Sequence, residues 1–407
     1  MKRFTLILAL ISYSLFAQKV APIYPIPSAK QLAWAELEYY GFIHFNMNTF
    51  TNVEWGEGKE SPSSFNPTAL DCNQWARIAK KAGMKGLILT AKHHDGFALY
   101  PSKYTSHSVA KSPWKNGKGD VVKELADACK KYGLKLGIYL SPWDRFHPAY
   151  GTEDYNQVYA KMQEELLTNY GPIFEFWYDG ANGEGPNGKK QVYDFTRFKD
   201  SALRYQPQIM IFSDIGPHVR WVGNENGIIN NTNWNLLDTA GFKRGEGAPP
   251  NDTLNTGNYN GKHWIGAEAD VSIRKGWFYH PEEDNTVKSG ATLFNIYLKS
   301  VGHGGNLILN VPPNRKGLID PLDSAALMDF KKIRDKAFAN NLFKNAKLLY
   351  TDNSVEVHLN KPVAFNSIQL KEKISLGQKV VKFELSGGND LKQFQPIAKG
   401  TTIGHKR

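Results

Sequence analysis

Between about residues 22 and 340 the sequence alternates short apolar runs with amphipathic stretches of helical period. This alternation is typical of βα units that build a parallel sheet. About eight strand candidates occur in this region, a number that favours a closed (β/α)8-like TIM barrel over an open, doubly wound α/β sheet. No Gly-x-Gly-x-x-Gly motif opens a helix after the first strand, so dinucleotide binding has no support.

Six of the strands are marked clearly, and two, near residues 228 and 265, are marked weakly. The helix predicted over residues 120–132 places Cys129 on its apolar stripe, so we expect this cysteine in the core. The clear strands are 41–45, 85–91, 135–140, 173–178, 209–213 and 307–311, and the helices are 71–83, 120–132, 155–170, 194–205, 291–301 and 324–339.

After about residue 340 apolar and polar residues alternate, which is typical of antiparallel strands with one buried face. We therefore expect a barrel domain over residues 22–340 and a small C-terminal β-sandwich over residues 345–407. Residues 401–407 look like a further strand, which makes us expect an incomplete sandwich.

The N-terminus carries Lys2 and Arg3 followed by an apolar run over residues 4–17, the pattern of a secretory signal peptide. We expect residues 1–17 to be removed and the protein to be exported to the periplasm or secreted. The apolar run is too short to cross a bilayer, so no membrane span is predicted.

The chain has 50 Lys and Arg against 39 Asp and Glu, a formal net charge of +11. The positive residues occur singly and in pairs on segments that also carry acids, whereas nucleic-acid interfaces cluster them on one face. We therefore expect a solvated surface and no nucleic-acid partner. With only two cysteines, the chain is not a disulfide scaffold.

In a βα barrel the active site lies at the C-terminal ends of the strands, so polar residues directly after each apolar run are the candidates. The first strand ends in His44, and the fourth strand delivers Asp179 immediately before a glycine. An Asp before Gly is also a common turn residue, so Asp179 is not decisive by itself. The second strand ends in Lys92-His93-His94-Asp95, and the third in Trp143-Asp144-Arg145.

The pair His93 and His94 with Asp95 also allows a metal-dependent barrel hydrolase. The spacing disfavours it, because adjacent residues at a strand end point to opposite sides. We expect no metal and no cofactor, and we expect these histidines to bind sugar hydroxyl groups, with one of the pair possible as a structural residue.

Aromatic residues make up 13% of the chain, and such rings either fill a core or stack on the apolar face of a sugar. Several tryptophans lie at or near predicted loop ends, and we expect about half of them to be core. These residues are Trp55, Trp143, Trp177, Trp221, Trp264 and Trp277.

Glycoside hydrolysis needs two carboxyl groups that flank the bond, so Asp179 requires a partner from a later strand. The candidates are Glu225, in a loop rich in Gly and Asn, and Glu268, near the next strand. Either residue could equally be an ordinary solvated acid. A Ser-His-Asp hydrolase is disfavoured, because the chain has no Gly-x-Ser-x-Gly elbow.

Segments that span roughly residues 25–335 match one known family in order and spacing. The most specific are Lys-His-His-Asp-Gly-Phe at 92–97 and Trp-Tyr-Asp-Gly at 177–180, and the others are 41–45, 48–50, 54–56, 102–105 and 141–145. Together these segments resemble glycoside hydrolase family 29, the α-L-fucosidases.

The resemblance implies a retaining exo-α-L-fucosidase, in which a strand-four aspartate attacks the anomeric carbon and a glutamate protonates the leaving oxygen. Asp179 matches the nucleophile. Residues 220–227 and 270–279 resemble the branch of the family that acts on α-1,3/1,4-linked fucose, which makes Glu225 the expected acid/base and leaves Glu268 in reserve. The implied partner is a fucosylated oligosaccharide or glycoconjugate.

The positions that match fucose-binding residues are His44, Glu54, Trp55, His93 and His94, with Trp143 and Trp277 as companions. Tyr139 lies four residues before Trp143 and so on the same face of the strand, which predicts that it lines the pocket. The alternative from another class is a catalytically silent carbohydrate-binding barrel protein. The presence of both Asp179 and Glu225 argues against this alternative.

Overall fold

The computed structural model describes residues 20–351, 353–389 and 393–407. The signal peptide expected at residues 1–17 lies outside the described residues. Eight parallel strands close into a barrel, because the first strand pairs with both the second and the last. The short antiparallel pair β7 and β8 lies outside this barrel, and the strands are β1 (Tyr39–Ile43), β2 (Gly86–Lys92), β3 (Lys135–Leu140), β4 (Ile173–Trp177), β5 (Met210–Ser213), β6 (Val219–Trp221), β7 (Leu236–Leu237), β8 (His263–Trp264), β9 (Gly266–Ser272) and β10 (Asn306–Asn310).

Closure of the barrel places Gly41 of β1 between Leu87 of β2 and Leu309 of β10. A Cβ atom on Gly41 would lie 2.6 Å from Leu87 Cδ2 and 2.8 Å from Met84 Sδ. The missing side chain therefore lets two apolar residues pack directly on the strand. The predicted (β/α)8 barrel is confirmed.

The helices surround the barrel, and their ends show why they form where the sequence predicts them. In the helix that follows β2, the Asp120 side chain accepts from the Lys123 backbone N at 2.8 Å, and Gly133 ends the helix in the left-handed conformation. Cys129 is buried in this helix, as expected. Among the residues that the structure describes, no helix has the length and apolar character needed to cross a membrane. The helices are α1 (Ala29–Ala35), α2 (Met47–Thr51), α3 (Cys72–Ala82), α4 (Val121–Tyr132), α5 (Glu153–Asn169), α6 (Phe195–Tyr205), α7 (Asn251–Thr256), α8 (Gly290–Ser300) and α9 (Pro321–Ala337).

The weak strand predicted near residue 228 is wrong, whereas the weak strand near residue 265 is confirmed as β9. The sixth barrel strand is β6, and residue 228 lies in the loop that follows it. Ile229 in this loop is buried against Ala267 and Ala269 of β9, and its backbone N donates to Lys299 O at 2.9 Å. A buried apolar loop residue therefore gave the same pattern as a short strand.

The region after the barrel contains antiparallel strands, as the alternation predicts. They form two separate two-stranded sheets, β11 (Lys347–Tyr350) with β12 (Val355–His358), and β13 (Lys382–Gly387) with β14 (Gln395–Thr401). The strand expected over residues 401–407 is wrong, because β14 already ends at Thr401. Thr402 is buried next to the barrel, where its Oγ1 accepts from Asn233 N at 3.0 Å.

Candidate active site

The C-terminal ends of the first three barrel strands bring together side chains that are distant in sequence. His44 follows β1, and His93 and His94 follow β2. The ring centroids of His44 and His93 lie 5.8 Å apart, and those of His93 and His94 lie 4.0 Å apart. Trp143, after β3, lies 4.8 Å from His94. These four side chains form one continuous rim.

Asp179 lies two residues beyond the end of β4, and both of its carboxylate oxygens are held. Oδ2 accepts a hydrogen bond from the Tyr139 hydroxyl at 2.8 Å, and Oδ1 accepts from Ala181 N at 2.7 Å. Burial, and then the charge of Asp179, raise the pKa of Tyr139 well above its usual value, so the phenol keeps its proton and donates. The Asp179 side chain is 24% exposed and therefore open to a ligand.

His94 presents a hydrogen-bond acceptor beside Asp179. Its Nδ1 lies 2.7 Å from Ser141 Oγ, whose single hydrogen is donated to Trp143 O at 2.8 Å. Nδ1 therefore carries the ring proton, and Nε2, which lies 3.9 Å from Asp179 Oδ2, is the acceptor. Burial lowers the pKa of His94 to about 4, against the opposing effect of Asp179, so the ring is neutral at neutral pH.

His44 is fixed in the same way by Asn310, the last residue of β10. The Asn310 amide nitrogen donates to Trp277 O at 2.7 Å, which turns its Oδ1 toward His44 Nδ1 at 2.9 Å. The proton of His44 is thus on Nδ1, and Nε2 is an acceptor. Burial lowers the pKa of His44 to about 3, so this ring is neutral as well.

His93 lies between the other two histidines and is held by packing. Its ring stacks on Tyr139 at 5.8 Å and meets the edge of Phe278 at 4.9 Å. Burial holds its pKa well below the usual value, and the neighbouring His94 adds to this effect. The rim therefore presents three uncharged imidazoles, which suit the hydroxyl groups of a neutral sugar better than an anionic ligand.

The tryptophans divide between the rim and the interior. Trp55 is 60% exposed and meets Trp143 edge-on at 5.6 Å. Trp177 is buried and stacks on Phe212 at 3.9 Å. Trp264 lies in a buried cluster, so it is one of the tryptophans in the core, as expected for about half of them.

Trp277 joins the rim to Glu225, the expected acid/base residue. Its ring lies 5.0 Å from that of His44, and its Nε1 donates to Glu225 Oε2 at 3.2 Å. Glu225 is an exposed residue of the loop after β6. The structure thus brings Glu225 into hydrogen-bond contact with Trp277, which packs on His44 of the rim.

Glu54 contacts the loop that carries Trp277. One carboxylate oxygen accepts from Trp277 N at 2.9 Å, and the other accepts from Phe278 N at 3.1 Å and contacts His280 Nε2 at 2.7 Å. Through these three contacts, Glu54 sets the position of the loop that carries Trp277.

Glu268, the reserve acid/base, is fully buried inside the barrel. Its carboxyl oxygens contact the Tyr40 hydroxyl and accept from Trp177 Nε1 at 2.9 Å. A second interior acid, Glu175, lies beside it and accepts from Trp34 Nε1 at 2.9 Å. Burial raises the pKa of both carboxyls, and within the part of the chain that the structure describes neither has a cationic partner.

The segment that suggested a metal site does not gather ligands. Asp95 is buried, and its Oδ1 accepts from Phe97 N at 2.6 Å. Burial raises the pKa of Asp95 to about 7. Within residues 20–351, 353–389 and 393–407, no group of three or more His, Cys, Asp or Glu side chains is arranged to hold a metal ion.

Four residues of the site were not named as site candidates from the sequence, although Ser141 and Phe278 lie in segments that carry the family resemblance. Asn310 is the last residue of β10, so the strand-end argument used for His44 would also have found it. Ser141 directly follows β3 and could have been found in the same way. Phe278 and His280 lie in a loop, where no periodic pattern points to a contact.

A comparison with protein-family models matches residues 23–332 to the family described as alpha-L-fucosidase. The matched region contains every residue of the rim described above. The chain belongs to the α-L-fucosidase family. The family resemblance of the strand-end segments is therefore confirmed, and the chain is a glycoside hydrolase.

Relatives of this fucosidase include "Alpha-L-fucosidase 1" of Arabidopsis thaliana, 42% identical over 97% of this chain and 84% of that protein. A solved glycoside hydrolase 29 family member from an unknown rumen bacterium is 44% identical, with a TM-score of 0.88 over 95% of this chain and 72% of that chain. A Ruminococcus gnavus GH29 fucosidase, solved in complex with fucose, is 29% identical, with a TM-score of 0.85 over 95% of this chain and 89% of that chain.

The Tyr139 hydroxyl offers a direct test of how this fucosidase holds Asp179. The Tyr139→Phe variant removes the donor to Oδ2 and keeps the ring that packs on His93. A hydrogen bond to a charged group is worth about 1.5–3 kcal/mol, so we expect kcat/KM for an aryl α-L-fucoside to fall roughly 10- to 100-fold.

Tyr159→Phe is the matched control, because it removes a buried hydroxyl that donates to the backbone at Leu140 O, at 2.7 Å, and not to Asp179. Its kcat/KM should match that of the wild type. An equal loss of activity in the two variants would show that the Tyr139 effect is one of general packing.

Proposed function

We propose that this fucosidase is a retaining exo-enzyme, with Asp179 as nucleophile and Glu225 as acid/base, and that it releases α-1,3/1,4-linked L-fucose from glycans. The observation that carries the proposal is the restraint on Asp179. Its two oxygens are held by Tyr139 and by Ala181 N, while the side chain stays open beside neutral His94. A carboxylate restrained in this way is oriented for attack on a ring placed against the rim.

In the first step the Asp179 carboxylate attacks the anomeric carbon, and the bond from this carbon to the glycosidic oxygen breaks. Glu225 donates its proton to the departing oxygen, which leaves as an alcohol of the glycan. In the second step Glu225 takes a proton from water and the water oxygen attacks the anomeric carbon. The ester bond from this carbon to Asp179 breaks, which releases fucose and restores the Asp179 carboxylate.

Glu225 is a better acid/base candidate than Glu268, because its carboxyl is exposed next to the rim. Glu268 is enclosed by Tyr40 and Trp177, so a leaving-group oxygen would have to displace interior contacts to reach it. We assign Glu268 to the barrel interior, where it supports Trp177.

A single terminal sugar suits the size of the rim. The ring distances that connect His44, His93, His94 and Trp143 run from 4.0 to 5.8 Å, so the polar groups converge on one small volume. The acceptors Nε2 of His44 and of His94 can each take a hydrogen bond from a hydroxyl group of that sugar.

The linkage preference rests on two segments that resemble the α-1,3/1,4 branch of the family, residues 220–227 and 270–279. They lie side by side, since Gly227 N donates to Asp270 O at 3.0 Å and Asn226 pairs with Val271. Trp277 of the second segment also contacts Glu225 of the first. One wall beside the acid/base is thus built from both segments.

The acid/base assignment predicts a dependence on the leaving group. In Glu225→Ala, turnover of a branched fucosylated trisaccharide should fall about 10²- to 10⁴-fold, and turnover of an activated aryl fucoside far less, because a good leaving group needs no proton. Azide should restore activity on the aryl substrate. Asp179→Ala should lose both activities, and Glu246→Ala, which removes an exposed loop acid, should lose neither.

Unchanged turnover of the trisaccharide by Glu225→Ala would remove this residue from the mechanism. The Asp179 and Glu246 variants would then show whether the assay itself discriminates between catalytic and surface carboxyl groups.

The linkage preference is tested by fucose release from two trisaccharides. We expect a higher kcat/KM on an α-1,3/1,4-branched trisaccharide than on an α-1,2-linked one, measured with the wild-type protein under identical conditions. Equal or reversed rates would contradict the linkage preference and would leave the retaining mechanism intact.

A further inference from the structure

We propose that His280 is a positioning residue that sets the carboxyl of Glu225 through Glu54 and Trp277. The proposal rests on the proposed function, since it requires Glu225 to be the acid/base. It concerns a loop histidine that neither the strand-end pattern nor the family resemblance singled out. His280 is buried and directly precedes a 3-10 helical segment, Pro281–Thr286.

Each ring nitrogen of His280 faces an oxygen acceptor. Nδ1 lies 3.2 Å from Asn52 Oδ1, and Nε2 lies 2.7 Å from Glu54 Oε1. The orientation of the Asn52 amide follows from its Nδ2, which donates to Glu282 Oε1 at 2.8 Å. A carboxylate oxygen only accepts, so His280 Nε2 donates to Glu54, and a hydrogen bond to such an acceptor is stronger than one between neutral groups.

Glu54 passes this restraint to the loop of residues 276–280. Its Oε2 accepts from Trp277 N at 2.9 Å, and its Oε1 accepts from Phe278 N at 3.1 Å as well as from His280. The Glu54 side chain is 39% exposed, so without His280 water competes for Oε1 and the carboxylate can rotate. His280 therefore selects the orientation in which Glu54 binds both backbone groups.

Close packing at Gly276 leaves little room for another position of the Glu54 and His280 side chains. A Cβ atom on Gly276 would lie 2.6 Å from Glu54 Oε1 and 3.1 Å from His280 Cδ2. The Gly276 N donates to Glu283 Oε2 at 2.8 Å, which fixes the start of the loop. Glu54 and His280 thus press against the backbone that leads directly into Trp277.

Trp277 carries the restraint to Glu225. Its backbone is held at both ends, the N by Glu54 and the O by Asn310 Nδ2 at 2.7 Å. Its indole Nε1 donates to Glu225 Oε2 at 3.2 Å. No other described residue donates a hydrogen bond to the Glu225 carboxyl. A shift of the Trp277 backbone therefore moves the donor that orients the acid/base.

The test compares His280→Gln with His280→Asn. The amide nitrogen of Gln reaches the place of the imidazole Nε2 and can donate to Glu54, whereas that of Asn reaches the place of Nδ1 and cannot. We expect His280→Asn to lower kcat on the branched trisaccharide about 10- to 100-fold more than on an activated aryl fucoside, the loss expected when a catalytic group is misplaced. His280→Gln should recover most of this difference.

The leaving group separates positioning of Glu225 from other effects. Weaker binding of the fucose ring, or partial unfolding, would lower activity on both substrates alike and would appear in KM or in the amount of folded protein. An equal loss on the two substrates, or a Gln variant that behaves like the Asn variant, would overturn the proposal.

Two further variants separate a failure of the proposed function from a failure of the role of His280. Glu225→Ala is assayed in parallel. If the activity of Glu225→Ala does not depend on the leaving group, the proposed function fails. If the activity of Glu225→Ala depends on the leaving group but that of His280→Asn does not, only the role of His280 fails. If His280→Asn does not fold, Glu54→Gln, which disrupts the next link, must show the same preferential loss on the trisaccharide. Equal losses on both substrates in that variant would overturn the proposal.

Discussion

Closure of the barrel through the pairing of β1 with β10 is the constraint on which the site depends. It brings Asn310 within 2.9 Å of His44, although the two residues are 266 positions apart in the chain. Asn310 then binds Trp277 O, and Trp277 reaches Glu225, so one strand end connects His44 of the rim to the proposed acid/base. Without closure, these contacts would not exist, because each lies on a different βα unit.

Burial determines the chemistry of the rim. It lowers the pKa of His44 to about 3 and that of His94 to about 4, so both imidazoles are neutral acceptors at neutral pH. It also keeps the Tyr139 hydroxyl protonated beside Asp179. The carboxylate that we propose as nucleophile is thus flanked by neutral Tyr139 and His94, and the proton of His94 is placed on Nδ1 by its hydrogen bond with Ser141.

The fold and the centre of the site could be predicted from the sequence, because apolar periodicity locates strands and barrel strands end at the active site. His44, His93, His94 and Asp179 follow from that rule. The contact between Glu54 and Trp277 could not be predicted, since the two residues are 223 positions apart on loops that no periodicity describes. The interior position of Glu268 was missed because the weak pattern near residue 265 did not define the register of β9, and register decides which side chains face inward.

The central claim is that Asp179 forms a covalent bond with the anomeric carbon. A fluorinated fucosyl fluoride measures this directly, because the ring fluorine slows both steps while the fluoride leaves readily, so the fucosyl-enzyme ester accumulates. Mass spectrometry of the digested protein should then find the label on the peptide that contains Asp179, at that carboxylate. A label on another carboxylate, or release of fucose with inverted configuration and no labelled peptide, would contradict the account.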